Sequence, residues 1–414
     1  MASKYQAPRG TFDVLPEGAR GRARIERAAA AIFAGAGYEP VATPAFEDTE
    51  LFERGVGRST DIVRKEMFTF EDKGGRSLTL RPEGTAPICR AYLEHGMHKL
   101  AQPVKLSYLG PFFRHERPQA GRYRQFHQLG VECIGTDSPL ADAEAIMLLS
   151  DLLGELGVPG VELRLGSLGS LEARRDYLEE LKAHLHAHEG ELSDDVRERI
   201  DINPLRAFDS DHEGTRGAMA SAPTIVGSLA GEDAEHFVAV RELLDAAGIA
   251  YVVDPTLVRG LDYYTRTIFS FVCDGLGAQS EIGGGGRYDG LIEQLGGPAT
   301  PAVGWAAGIE RILLALNEEE AAPGRDAFVA IADPGQRARA MALAVELRHA
   351  GLTAEIDLAE RSLKGQLKHA NRIGARRVLI LEADGSAQLR DMGTGEQRAA
   401  DPGNLVDEMT GGEL

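Results

Sequence analysis

The stretch from Gly110 to Glu132, GPFFRHERPQAGRYRQFHQLGVE, sets arginines, carboxylates, an aromatic ring and an amide at alternating positions. Two runs with strand character flank a polar turn holding Arg117, Gln119, Gly121 and Arg122. Strand side chains alternate between faces. The first run therefore puts Tyr108, Phe112 and Arg114 on one face, with Glu116 at its end. The second puts Arg124, Phe126, Gln128, Gly130 and Glu132 on one face and Leu129, Val131 and Cys133 on the other. One face is packed; the other is polar and held on rigid elements, which suits a ligand at once anionic and aromatic. Arg259 and Arg311 add cations whose planar forks match phosphate oxygens. Glu83, Tyr263 and Tyr264 could satisfy an ammonium and a polar side chain. No Ser/His/Asp or Cys/His set stands out as nucleophile and base. The chemistry implied is phosphoryl-centred, achieved by positioning and charge stabilisation.

Elements that would position these residues are legible in the pattern. Pro16 and Glu17 open a helix with Ile25, Ala28, Ala29, Ile32 and Phe33 at helical spacing, ending near Gly35 and Gly37. Tyr38–Phe46 is extended, and Pro40 and Pro44 assign it to an edge or interface. Met67–Phe70 and Ser77–Leu80 read as strands around a Gly-Gly turn, followed by a helix from Thr85 to His95 with Thr85 as its N-cap. A helix from Pro139 to Leu156 follows the hairpin, and a Glu-, Arg- and His-rich helical segment over about 170–225 reads as an insertion. Its His184 and His188 have the spacing of a helical metal pair, but no third ligand accompanies them, so a surface helix is expected and no resident metal. Tyr251–Asp254, Thr267–Cys273 and Ser280–Ile282 read as strands. The glycines Gly283–Gly286 match no phosphate-loop pattern and imply close backbone approach to a ligand or a strand. After a linker-like Asn317–Gly324, strands and helices alternate through Ala327–Ile331, Gln336–Ala350, Thr353–Ile356, Leu363–Ile373 and Arg377–Leu381, the mark of a small α/β domain.

At 414 residues the chain suits two or three domains. No apolar run approaches the ~20 residues that span a bilayer, and MASKYQAPRG has no apolar signal core, so a cytoplasmic address is expected. Cys89, Cys133 and Cys273 are far apart, which excludes a disulfide framework or a Cys-rich zinc site. A net charge of −19 argues against indiscriminate coating of nucleic acid. Local basic patches remain compatible with an RNA substrate: the Arg114–Arg124 turn, and Arg361–Arg377 with Arg361, Lys364, Lys368, Arg372, Arg376 and Arg377.

These motifs carry a resemblance. FRHE (Phe113–Glu116) followed by Arg122 resembles motif 2 of class II aminoacyl-tRNA synthetases, and GWAAGIER (Gly304–Arg311) resembles motif 3. Pro16–Phe46 sits where motif 1, a dimer interface, would be. LVRGLDYY (Leu257–Tyr264), GGGGRYDGL (Gly283–Leu291), TLRPEGT (Thr79–Thr85) and GRYRQFHQLGVE are similar to motifs of the histidyl-tRNA synthetase family, and the likeness covers essentially the whole chain.

The resemblance implies an α+β catalytic domain with an antiparallel sheet over residues 1–320, its helical insertion at about 170–225, and an α/β anticodon-binding domain over 326–414. It implies a homodimer that activates L-histidine with ATP and charges tRNA(His). Glu83, Gly84, Thr85 and Gln128 would hold the α-amino group; Glu132 and Tyr264 would meet the imidazole nitrogens, with Tyr263 lining the pocket. Arg114 and Arg259 would bind the α-phosphate, Arg311 the γ-phosphate, Phe126 would stack on adenine, and Glu116 would read its amino edge beside Arg122. Mg²⁺ would accompany the β- and γ-phosphates. Gln119 and Arg122 would lie towards the tRNA end, and Arg361, Lys364, Lys368 and Arg372 would face the anticodon. The alternative is the non-catalytic regulatory paralogue that serves ATP phosphoribosyltransferase. Such proteins generally lack the anticodon domain and an intact LVRGLDYY-type motif, and this chain has both. A class II synthetase for another small amino acid is disfavoured by Glu132 with Tyr263 and Tyr264.

Overall fold

The computed structural model describes residues 5–57, 60–277, 280–317, 322, 324–401, 404, 406 and 409. Most of Asn317–Gly324 and the first four and last five residues lie outside that set. The chain forms two compact units, Met1–Glu320 and Ala321–Leu414.

An eight-stranded sheet organises the first unit. In spatial order its strands are Glu39–Pro40, Val104–Phe113, Gln125–Ile134, Ala302–Gly308, Glu281–Arg287, Thr265–Cys273, Val161–Ser167 and Val252–Val253. The six central strands pair antiparallel, and each two-residue edge strand adds in parallel. Pro40, in the edge strand, lacks the N–H that a central strand would need. Phe46–Asp48, Phe68–Glu71 and Ser77–Leu80 make a separate three-stranded sheet.

Alternation in the hairpin decides what lies behind the sheet. Leu129, Val131 and Cys133 are buried against helices Pro16–Gly35, Pro139–Leu156 and Gly231–Ala246. From the first helix Ile25, Ala29 and Phe33 are buried, while Ala28 and Ile32 pack at the margin. The second helix has well-formed ends. Ser138 accepts a hydrogen bond from the Leu140 N–H, Pro139 opens the first turn, and Gly157 closes the last at φ 74°. A buried charge network ties this layer to the glycine-rich strand: Arg287 pairs with Asp142 and with Asp289 at 3.1 Å, and His236 Nε2 lies 3.3 Å from Asp142.

The opposite face carries a second core of Ile88, Cys89, Tyr92, Tyr108, Phe112, Tyr263, Tyr264 and Tyr288. Helix Leu171–Ala187 and shorter helical turns between the Val161–Ser167 and Val252–Val253 strands join it through Tyr177, Leu181 and Leu185. There His184 Nε2 lies 2.9 Å from the Ala218 carbonyl, and His188 Nδ1 lies 2.9 Å from that of His184. The pair is engaged by backbone oxygens.

The second unit is built on a five-stranded sheet in the order Ala354–Ile356, Arg325–Ile331, Ala375–Leu381, Ala387–Asp391, Gln397–Ala400. The first three strands are parallel, with helices Arg337–His349 and Leu363–Arg372 as their crossovers. The last two form an antiparallel hairpin that the sequence reading did not anticipate. Its Gln397–Ala400 strand, reading QRAA, lies at the sheet edge and has no apolar alternation to announce it.

Candidate active site

Over the second core lies a cavity of about 560 Å³. It is lined from the hairpin by Tyr108, Arg114, Glu116, Arg122, Phe126 and Gln128, and from the 257–264 loop by Arg259, Tyr263 and Tyr264. Glu83, Gly84 and Thr85 line it from the start of helix Thr85–Glu94, and Glu281, Trp305 and Arg311 from the neighbouring strands and helix. Segments separated by more than 200 positions thus converge on one space.

The helix start differs from the expectation. Gly84 is the N-cap and Thr85 is the first helical residue. The cap is supplied instead by Glu83, whose carboxylate accepts from the N–H groups of Thr85 at 2.8 Å and Ala86 at 3.0 Å. The Thr85 hydroxyl is thereby left for another use, donating to Glu132 Oε1 at 2.8 Å. The Tyr263 hydroxyl donates to Glu83 at 3.4 Å. Burial pushes the Glu83 carboxyl above its usual range, although the helix N–H groups and Arg114 pull the other way. A buried carboxylate in that state is short of positive charge, and an ammonium would supply it.

Glu132 is fully buried and does not itself line the cavity. It lies one layer down, held by Thr85 on one oxygen and on the other by the Tyr288 hydroxyl, which donates at 2.5 Å. Space for its carboxylate exists because its strand partner is Gly304, where a Cβ would land on Oε2. Burial pushes the Glu132 carboxyl up to about 8, against the pull of the Tyr288 and Thr85 hydrogen bonds. Each carboxylate oxygen keeps a second lone pair for a further donor.

Five buried polar atoms of the lining residues have no hydrogen-bond partner: Gln128 Oε1, Tyr108 OH, Arg259 Nε, Trp305 Nε1 and Glu116 Oε2, the last of which is ion-paired with Arg122. Such atoms are costly in a folded protein and call for a ligand or water.

The arginines divide into two groups. Arg114 donates from Nε to the Pro82 carbonyl at 2.9 Å, and its guanidinium lies 5.3 Å over the Phe126 ring. Glu116 faces Arg122 at 3.1 Å and Arg114 at 3.9 Å. On the other side Arg259 donates to Glu281 at 2.7 Å, with the Tyr264 ring 5.7 Å from its guanidinium. Arg311 donates to the Glu281 backbone carbonyl. Glycines make room here as well: a Cβ on Gly284 would stand 2.9 Å from Arg259 Nη1 and press on the Phe269 carbonyl. Close approach, rather than a phosphate loop, accounts for the glycine run.

The loop bearing Arg259, Tyr263 and Tyr264 is fastened by the helical segment. Arg174 donates to the Tyr264 carbonyl at 2.8 Å, Arg206 to the Gly260 carbonyl at 3.1 Å, and Asn203 to Asp262 at 3.3 Å. The sequence reading named none of these, nor Tyr288 and Glu281. The only signal for Tyr288 was its place in the motif-like run after Gly286. Among the expected RNA contacts, Gln119 and Arg122 form a tight turn joined by backbone hydrogen bonds of 3.1 and 2.9 Å. Gln119 is exposed and outside the cavity. In the second unit Lys364, Lys368 and Arg372 are exposed along one helix, whereas Arg361 is paired with Asp357.

A family model described as histidyl-tRNA synthetase matches residues 10–312, and one described as anticodon binding domain matches residues 326–411. The chain belongs to the histidyl-tRNA synthetase family. A histidine–tRNA ligase from Halothermothrix orenii is 48% identical over 412 residues, 98% of each chain. The crystal structure of apo S. aureus histidyl-tRNA synthetase superposes with a TM-score of 0.81 at 36% identity, covering 98% of this chain and 99% of the other. A lesser likeness, TM-score 0.67 at 25% identity, is to a Bacillus halodurans chain described as ATP phosphoribosyltransferase regulatory subunit/histidyl-tRNA synthetase; it covers 89% of this chain and 97% of that one. The fold is the class II synthetase catalytic sheet followed by the anticodon-binding unit of the same family.

Proposed function

We propose that the cavity joins L-histidine to ATP and then passes the histidine to the 3′ end of tRNA(His), the reaction of an ATP-dependent histidine–tRNA ligase. One observation carries the reading within this family: a floor of Glu83, Gln128, Tyr263 and Tyr264 and a wall that includes Arg114, Arg122, Arg259 and Arg311 line the same cavity. Glu83 with Gln128, Gly84 and Thr85 takes the α-ammonium. Glu132 and Tyr264 take the imidazole nitrogens, and Tyr263 lines the pocket. A side chain without two polar ring nitrogens leaves those groups unpaired, a strong ground for rejection.

Phe126 and Glu116 take the adenine, with Arg122 beside them. Arg114 and Arg259 take the α-phosphate, and Arg311 takes the γ-phosphate. The histidine carboxylate is ionised at neutral pH and needs no base. One of its oxygens bonds to the α-phosphorus as the bond to pyrophosphate breaks, and Arg259 faces the charge that develops. The terminal ribose hydroxyl of tRNA then attacks the acyl carbon and AMP leaves; a phosphate oxygen of the adenylate takes the proton.

Among the described residues no group of three or more His, Cys, Asp or Glu could hold a metal ion. Mg²⁺ would arrive with the β- and γ-phosphates, whose charge it would offset. The residues 1–320 act as catalytic domain with its insertion at about 170–225, and 326–414 as anticodon reader, with Arg361, Lys364, Lys368 and Arg372 facing RNA and Gln119 and Arg122 nearer the acceptor end. Exposed Phe12, Val14, Leu15 and Phe46 supply apolar surface around the motif 1-like segment for a homodimer. No helix among the described residues is long and apolar enough to cross a membrane, and a cytoplasmic place suits tRNA charging.

Histidine-dependent exchange of labelled pyrophosphate into ATP tests the reading. Exchange is expected with histidine and with no other amino acid; a pure, folded protein that catalyses none would be the regulatory type instead.

A further inference from the structure

Three carboxylates of the lining are paired with cavity arginines: Glu116 with Arg122 and Arg114, Asp209 with Arg206 at 3.0 Å, and Glu281 with Arg259. Glu281 is the one that faces the proposed α-phosphate ligand Arg259. It opens the Glu281–Arg287 strand where the pairing with Thr265–Cys273 slips: Glu281 faces Val272 and Gly283 faces Phe271, leaving Ile282 as an extra residue. A bulge of this kind re-aims a side chain out of regular alternation, and Glu281 lines the cavity.

Besides a side-chain hydrogen bond with Ser270, Glu281 makes two contacts with the cavity arginines. Its Oε1 accepts from Arg259 Nη1 at 2.7 Å, and its backbone carbonyl accepts from Arg311 Nε. The partners are unequally placed. The Arg259 side chain is 12% exposed, and that of Glu281 is 46% exposed. The guanidinium is walled in by the Gly284 backbone and the Tyr264 ring, while its Nε is buried without a partner. The arginine is therefore the fixed member and the carboxylate the one that can turn away into solvent. Burial opposes ionisation of Glu281, but Arg259 and Arg311 outweigh it and hold the carboxyl below its usual range.

An arginine fork binds a carboxylate and a phosphate with the same donors. Resting on the reading that Arg259 meets the α-phosphate, we propose that Glu281 is a positioning residue that stands in for that phosphate, holding Arg259 in the empty cleft and yielding when ATP enters. The contact has two consequences. It keeps a buried cation oriented before substrate arrives, and it competes with every phosphate that seeks the same donors. Anions lacking the rest of the nucleotide, such as pyrophosphate, meet the same competition with fewer other contacts to overcome it.

Glu281→Gln keeps the shape and removes the charge. In histidine-dependent exchange its KM for ATP is expected to fall roughly 3- to 10-fold, the scale of one partly exposed charge-assisted contact, with the larger part of the effect in KM rather than kcat. Titration of inorganic pyrophosphate into the histidine-free protein by calorimetry is expected to show a similar fall in Kd. A merely structural role would raise KM or leave it alone. A KM for ATP that is unchanged or higher, with pyrophosphate affinity no tighter, overturns the proposal. Should Glu281→Gln not fold, Glu281→Asp makes the same comparison, because the shortened carboxylate loses its reach to Arg259. If the unmodified protein shows no exchange at all, the ligase reading fails, and the pyrophosphate titration still decides the role of Glu281.

Discussion

The Thr85 hydroxyl donates to Glu132 at 2.8 Å, so the first residue of a helix is hydrogen-bonded to a fully buried carboxylate 47 positions away. That contact joins the ammonium end of the proposed histidine site to its imidazole end. It also leaves a proton question, because burial pushes the Glu132 carboxyl up to about 8. In the unfolded chain the same group titrates in the ordinary carboxylate range. Between that range and about pH 8 the folded protein holds a proton that the unfolded chain has lost. Stability from this group is therefore full at low pH and declines as pH rises towards 8, at no more than about 1.4 kcal/mol per pH unit. Glu132→Gln removes the titration. Comparing urea midpoints of both proteins at pH 6 and pH 8, the variant is expected to lose less stability over the interval; equal losses would place the Glu132 carboxyl in the ordinary range.

Gly304 supports the same carboxylate from the adjacent strand. A Cβ at this position would fall on Glu132 Oε2 and on the Val131 carbonyl. Neither can retreat, since Val131 is in the central sheet and Glu132 is fixed by Thr85 and Tyr288. Gly304→Ala is expected to cost about 1–3 kcal/mol by overpacking and to weaken histidine binding by displacing Glu132. Parent-like urea stability together with parent-like histidine affinity would show that the strand yields more readily than its contacts imply.

Much of the site could be read from residue order because the hairpin obeys simple alternation. Leu129, Val131 and Cys133 are buried behind the sheet, and Arg114, Phe126 and Gln128 line the cavity as the period of two requires. What alternation cannot supply is contact between distant segments. Tyr288 meets Glu132 across 156 positions, and Arg174 meets Tyr264 across 90. Glu281 was hidden for another reason: a bulge breaks the period that would have predicted its direction. Thr85 is not the cap because the neighbouring Glu83 carboxylate takes the helix N–H groups and frees the Thr85 hydroxyl for Glu132. The edge hairpin of the second unit escaped because its outer strand is too polar to show a pattern.

Arg259 is predicted to matter for chemistry more than for histidine. Its guanidinium is directed at Glu281 and the arginine wall, whereas Glu83, Thr85 and Tyr263 hold one another on the other side. Arg259→Ala is expected to slow adenylate formation by about 10²–10³-fold, the usual effect of deleting one stabilising donor. Histidine binding should survive nearly intact. Calorimetric titration of histidine into both proteins measures that binding directly. Equal loss of binding and chemistry would mean that Arg259 holds the amino acid rather than the phosphate.

RNA recognition by the second unit has an electrostatic signature. Lys364, Lys368 and Arg372 succeed one another at i, i+4 and i+8 on helix Leu363–Arg372, all exposed, so they form one cationic stripe. The chain as a whole is strongly acidic, with a net charge of −19, and would repel RNA in general. A stripe of this kind on such a background gives local attraction that salt screens. If the three side chains each neutralise one phosphate of a single-stranded loop, replacing all three by alanine raises the KM for tRNA. It also makes the log–log salt dependence shallower by about 2, since each contact contributes about 0.7 to the slope. Histidine-dependent pyrophosphate exchange needs no RNA and reports separately on the first unit. A tRNA KM and salt slope that match the unmodified protein would move the RNA-reading surface to another face of the second unit.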